Sequence, residues 1–249
     1  MKYTSHPSTV AAGFSLVEMA VVLVILAILI TAIGVPLGTQ LDQQRAVDTQ
    51  KQLETIKEAI YGFAMANGRL PCPATTGAAS AVSSPAISGV CTQPVGFVPA
   101  VTLGLASPDP GGFAIDGWND GNVLRRLRYA VSTANASALT TTDGIRTATM
   151  ATVSATAQLY VCATGLTAPP PSTDCGTMTV LSDRAPFVLI SLGKDPTTDG
   201  TPPPYDAINN QNGDIVFSNG TQTSTFDDIV TWGSLNTLFA RMVQAGRLP

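Results

Sequence analysis

The sequence predicts an α+β protein. A long N-terminal α-helix, apolar in its first half and amphipathic in its second, packs on a small antiparallel β-sheet head that ends in a short C-terminal helix. Three observations carry this reading. An apolar run begins at Phe14, and apolar residues keep recurring at helix spacing as far as Phe63. Short Val- and Thr-rich runs, separated by Gly, Pro, Asn and Asp, fill the middle of the chain. Leu235, Leu238, Phe239, Met242 and Val243 then mark one face of a last helix before Gly246.

Across 14–41 the one charge is Glu18. At about 1.5 Å per residue such a helix reaches roughly 42 Å, enough for a bilayer core of about 30 Å. Gly34, Pro36 and Gly38 interrupt the run. Pro36 removes a helix hydrogen bond, so a helix kink is expected at Gly34 and Pro36. Over 42–67 the pattern turns amphipathic. Leu53, Ile56, Ile60 and Phe63 form an apolar stripe, while Asp48/Lys51 and Glu54/Lys57 sit three apart on other faces. Asn67-Gly68 followed by Pro71 stops the helix.

Residues 68–249 form the expected head. The stretch 72–121, rich in Pro, Gly, Ser and Ala, reads as irregular. Strands are expected within 122–232, over 123–131, 147–153, 159–163, 186–192, 214–218 and 226–232. The closing helix is expected over 234–245.

Composition excludes several chemistries. The one histidine is His6, near the start, which leaves nothing downstream for Ser-His-Asp or Cys-His catalysis or for His-ligated zinc. No pair of carboxylates stands out as acid and base, so no enzyme is expected. With 17 acids against 13 Lys and Arg, and no basic block, no nucleic-acid partner is expected. Cys72, Cys91, Cys162 and Cys175 form no C-x-x-C motif. Their even number, behind an export-type N-terminus, points to two disulfides. Three pairings exist. The two local ones, Cys72–Cys91 and Cys162–Cys175, are favoured because each closes a loop rich in Pro, Ser, Thr and Gly.

The N-terminus differs from an ordinary signal peptide. There, the small residues of the cleavage site follow the apolar stretch. Here Ala11, Ala12 and Gly13 precede it. Gly13-Phe14-Ser15-Leu16-Val17-Glu18, leading into the apolar helix, resembles the processing site of type IV prepilins and type II secretion pseudopilins. The resemblance implies a leader over 1–13, cleavage between Gly13 and Phe14 by a prepilin peptidase/methyltransferase, and N-methylation of Phe14. It also implies other pilin or pseudopilin subunits and an inner-membrane assembly platform as partners. The subunit would sit in the inner membrane with its head in the periplasm, or in an assembled pilus or pseudopilus.

Glu18 has a physical part in that scheme. A carboxylate in lipid is costly unless paired. Cleavage creates a cationic α-amine at Phe14, so Glu18 of one subunit can pair with Phe14 of a neighbour on assembly.

Two stretches of the head extend the resemblance to pseudopilins. Asp116-Gly117-Trp118 leads to Arg126-Leu127-Arg128-Tyr129. Ser191-Leu192-Gly193-Lys194-Asp195 is followed by Asp227-Asp228-Ile229 and Trp232. The matching loop of the major pseudopilins binds Ca²⁺, which makes Asp195, Asp199 and Asp227 the expected oxygen donors. The resulting expectation is a structural subunit of a type IV pilus or type II secretion pseudopilus, with the large head favouring a minor component. The alternative is a single-pass membrane-anchored binding or adhesin protein without a filament.

Overall fold

The computed structural model describes residues 13, 15–85, 89–107, 109–166, 169, 171–195, 205–223 and 225–248, with the backbone alone over 30–37. The chain divides into two units, Met1–Gln44 and Arg45–Pro249. The first holds the start of helix α1 (Leu16–Asn67). Its large apolar side chains between 16 and 29 are exposed, from 47% at Val22 and Leu26 to 87% at Leu16. The helix assignment continues through Gly34 and Pro36, so the expected interruption does not end it. One proline withdraws a single N–H from the ladder, and the bonds on either side can hold.

The second unit is the head. In chain order it contains β1 (Val95–Phe97), a 3₁₀ turn (Val123–Arg125), β2 (Arg128–Val131), α2 (Ala134–Ser137), α3 (Gly144–Thr147), α4 (Met150–Ala155), β3 (Leu159–Ala163), β4 (Val180–Ala185), β5 (Phe187–Ser191), α5 (Tyr205–Asn209), β6 (Val216–Asn219), β7 (Ile229–Trp232) and α6 (Leu235–Gln244). The strands form two sheets. The first has the order β1-β2-β5-β7 and is antiparallel. The second has the order β4-β3-β6, with β3 antiparallel to β4 and parallel to β6.

The period-two geometry of strands explains the core. Tyr129 and Val131 of β2, with Phe187 and Leu189 of β5, join Leu53, Ile56 and Ile60 of α1 and Leu235, Leu238 and Met242 of α6. The alternate residues Ala130, Val188 and Ile190 face the opposite way, onto Leu159, Val161 and Phe217. Both faces of β5 are therefore covered, and all five of its residues are buried. A strand covered on both sides reads as the unbroken apolar run Phe-Val-Leu-Ile. The Tyr129 hydroxyl lies inside this core and donates to Pro71 O at 2.9 Å, which satisfies a group that would otherwise be costly to bury.

Several expectations are corrected. The stretch 72–121 is not wholly irregular: it contains β1, whose neighbour Ala74 bridges Phe97. The expected strand 123–131 divides into the 3₁₀ turn and β2. Over 147–153 the structure is helical, as α3 and α4. Thr149 caps α4 by accepting the Thr152 N–H, and Ile145 and Val153 are buried; a local cap and burial of one face outweigh the strand preference of Thr and Val. The strand β4 and the short helix α5 were not expected. Sheet pairing also exceeds the expected single antiparallel sheet, because β3 and β6 run parallel. In the α1 stripe Phe63 is half-buried beneath the Arg69 guanidinium, and Tyr61 and Ala64 complete the buried face.

Phe187 is fully buried, with Tyr61 edge-on at 5.4 Å between ring centroids. Phe187→Ala is expected to cost about 3–5 kcal/mol of stability. Tyr129→Phe, which leaves Pro71 O without its donor, is expected to cost about 1 kcal/mol. Denaturant unfolding of the two variants checks both values and their order.

Candidate functional site at the N-terminal segment

The first turn of a helix exposes N–H groups without partners inside the helix. Here Ser15 and Glu18 satisfy two of them reciprocally. The Ser15 N–H donates to Glu18 Oε2 at 2.9 Å, and the Glu18 N–H donates to Ser15 Oγ at 3.4 Å. This is a capping box, Ser-x-x-Glu at the N-cap and N3 positions. Glu18 thus has a local task in fixing where α1 begins. Its negative charge also lies at the positive end of the helix dipole. Ser15 was not singled out in the sequence, although Ser-x-x-Glu ahead of an apolar run is the signature of such a box. Gly13 is exposed, while Phe14 lies outside the described residues. Glu18 lies within the exposed apolar side-chain surface of 16–29. Among the described residues no helix is long and apolar enough to cross a membrane; the side chains of 30–37, including Gly34 and Pro36, fall outside them.

The remaining candidate residues lie in the head. Cys72 is bonded to Cys91, and Cys162 to Cys175, closing sequence separations of 19 and 13. All four are buried. Asp227 Oδ2 accepts the Asp195 N–H at 2.7 Å, which brings these two expected calcium donors together. Asp199 lies outside the described residues. Among the described residues no group of three or more His, Cys, Asp and Glu side chains is arranged to hold a metal.

Two acids whose burial the sequence did not reveal hold this end of the first sheet. Asp116 Oδ1 accepts the Trp118 N–H at 3.0 Å, and its Oδ2 accepts the Ser191 hydroxyl at 3.0 Å. Nearby, Arg125 donates to Gly193 O at 2.6 Å and to Asp120 at 3.1 Å. Asp228 is 2% exposed. Its Oδ2 accepts from Asn210 Nδ2 at 2.8 Å, while Asn210 also brackets the Ser218 backbone, donating to its carbonyl and accepting its N–H. These bonds tie α5, β6 and β7 into one unit. Burial raises both carboxyls, Asp116 to about 6 and Asp228 to about 7. Hydrogen bonds and the Arg125 and Arg128 charges oppose the shifts without cancelling them.

The sign of the linkage follows. An acid with a higher pKa in the fold than in the unfolded chain keeps its proton longer when folded. Its stabilising effect is full below about pH 4, declines as pH rises toward 7, and is flat above that. Asp228→Asn retains an acceptor for Asn210 and removes the share of the decline that Asp228 contributes. At pH 8 the variant is expected to exceed wild type by on the order of 4 kcal/mol, about three pKa units, with the two converging near pH 4. Unfolding free energies across pH 4–8 check this, and parallel curves would contradict it.

Comparison with known proteins agrees with the N-terminal geometry. Residues 9–34 match the family model of the prokaryotic N-terminal methylation motif. That span contains Gly13, the Ser15–Glu18 capping box and most of the apolar run. No curated protein and no solved structure matched the chain. Over that segment the chain carries a prokaryotic N-terminal methylation motif, which supports a likeness to the type IV prepilins and pseudopilins.

Proposed function

We propose that the chain is the precursor of a structural subunit of a type IV pilus or type II secretion pseudopilus, and within that group a minor component. A membrane peptidase cuts between Gly13 and Phe14 and methylates the new Phe14 amine. The mature helix then anchors the subunit in the inner membrane, through the apolar stretch 14–41, until it joins a filament. The observation that carries this reading is the methylation motif at 9–34 leading into apolar side chains that stay exposed across 16–29.

Physical chemistry supports each step. Apolar side chains at this exposure need lipid or neighbouring helices to cover them. Cleavage leaves a cationic amine beside the positive end of a helix, an unfavourable placement that a carboxylate one turn along offsets. In lipid, that carboxylate is better paired across subunits than left with local N–H groups alone. The buried disulfides suit a head folded in an oxidising compartment, as the periplasm or the cell exterior would be.

Mass spectrometry of the membrane-extracted protein is the direct test. A mature N-terminus at methylated Phe14 is expected, and Gly13→Leu should leave the precursor at full length. A retained Met1 in the wild-type protein, or cleavage beyond the apolar run, would favour a plain membrane-anchored binding protein.

A further inference from the structure

The last carbonyls of α1 are not all met from the helix's own sequence. After Asn67 the chain turns left-handed at Gly68, with φ 71°. The Gly68 N–H reaches Ala64 O at 2.8 Å, and Asn67 Nδ2 reaches Phe63 O at 2.9 Å. A stop of this kind leaves the carbonyls of Met65 and Ala66 to be met from elsewhere. The last turn of α1 also holds no basic residue to face the negative end of its dipole.

Arg247 takes up both carbonyls from far along the chain. Its Nε donates to Met65 O at 2.9 Å and its Nη2 to Ala66 O. A charged donor makes these bonds stronger than neutral ones. The end of α6 fixes the backbone that presents this side chain. Gly246 is left-handed, with φ 66°. Its N–H reaches Val243 O at 2.9 Å, and the Arg247 N–H reaches Met242 O at 2.9 Å. Those two bonds form a Schellman stop, so the stop of one helix carries the cap of the other. Gly-Arg-Leu-Pro occurs at both stops, over 68–71 and 246–249, but the two arginines differ. Arg69 is buried over the Phe63 ring, whereas Arg247 is exposed.

Little apolar chain backs this contact. Gly246 and Arg247 are exposed and Leu248 is half-buried. Leu248 lies in the walls of two clefts of about 450 and 390 Å³, one with Gly68 and Asp143, the other with Phe239 and Val243. Sparse packing of this kind marks segments that open locally. The body of α6 is held to α1 by other bonds. Tyr61 Oη accepts the Ser234 N–H at 3.0 Å, and Arg241 pairs with Glu58 at 2.9 Å.

We propose that residues 245–248 form a strap across the end of α1, with Arg247 as its clasp, and that the strap and the last turn of α1 open together as one local unit while the sheets stay folded. Closed, the strap completes α1 beside the point where the chain enters the head, at the Leu70 N–H to Leu139 O bond of 2.7 Å. Open, it leaves the Met65 and Ala66 carbonyls to water, lets the last turn fray and lifts Leu248 out of the two cleft walls. The clasp is electrostatic, so salt loosens it.

The test is amide hydrogen exchange of the full chain in detergent, read by mass spectrometry. Arg247→Ala is expected to speed exchange over 65–70 and 245–247 at least tenfold, with β2 and β5 within twofold of wild type. Arg247→Lys keeps the charge without the planar fork and should restore part of the protection. Raising NaCl from about 0.1 M to about 1 M shortens the screening length from about 10 Å to about 3 Å. That change should speed wild-type exchange over 65–70 and leave Arg247→Ala unchanged. Glu58→Gln removes the partly exposed pair with Arg241 and should leave 65–70 within twofold of wild type. Unchanged exchange over 65–70 in Arg247→Ala overturns the proposal. So does a rise spread equally over β2 and β5, which would make Arg247 a general packing residue. A rise in Glu58→Gln equal to that in Arg247→Ala also overturns it, because α6 as a whole would then hold the end of α1.

Discussion

A helix that leaves its apolar side chains uncovered sets the terms for the rest of this molecule. Between 16 and 29 every large apolar side chain is at least 47% exposed. At roughly 25 cal/mol per Å² of apolar surface, such a stretch strongly favours any environment that removes it from water. A bilayer supplies one, and a bundle of like helices supplies another. Glu18 is the exception within that surface. It cannot be hidden in either environment as a bare charge, and the capping box with Ser15 meets only part of its needs. The same carboxylate starts the helix, and in the proposed filament it would also select what the helix packs against.

The head meets a different constraint. Its first sheet is covered on both faces, by α1 and α6 on one side and the second sheet on the other. That leaves polar connections to be secured at the strand ends. Asp116 and Asp228 do so from inside the protein, each tying a loop to the sheet. Burying a carboxyl costs stability as it ionises, so these ties are strongest when the acids keep their protons. The disulfides act on the loops themselves, where Pro- and Gly-rich chain offers little apolar surface to bury. Each is of a kind that contributes about 2–4 kcal/mol by limiting the unfolded chain.

The legible parts of the sequence were those whose pattern is local and periodic. The apolar run, the Leu53–Ile56–Ile60 stripe, the α6 face and the β5 run each announce their own element. The stretch over 147–153 misled because Thr and Val favour strands, whereas a threonine cap and two buried positions made it helical. β4 was missed because Ser182, Asp183 and Arg184 interrupt its apolar pattern, as befits an edge. The parallel β3–β6 pairing joins segments more than fifty residues apart, and no local signal encodes it. The burial of Asp116 and Asp228 was not legible because it depends on partners distant in the chain, Ser191 for Asp116 and Arg128 for Asp228. At the N-terminus Gly13, Phe14 and Glu18 were legible as a motif, but the bond between Glu18 and Ser15 was not drawn from it.

That bond makes the central claim testable, because it separates the cap from the charge. Glu18→Gln keeps a side-chain acceptor for the Ser15 N–H and loses the charge. Ser15→Ala loses its half of the cap, a change worth about 0.5–2 kcal/mol, and keeps the charge. The measurement is incorporation of each variant into sheared filaments, at matched expression and with processing confirmed. If Glu18 pairs with the Phe14 amine of a neighbour, Glu18→Gln should fall at least tenfold while Ser15→Ala stays within twofold of wild type. Wild-type incorporation of Glu18→Gln, with loss in Ser15→Ala, would show that the carboxylate serves the helix end alone.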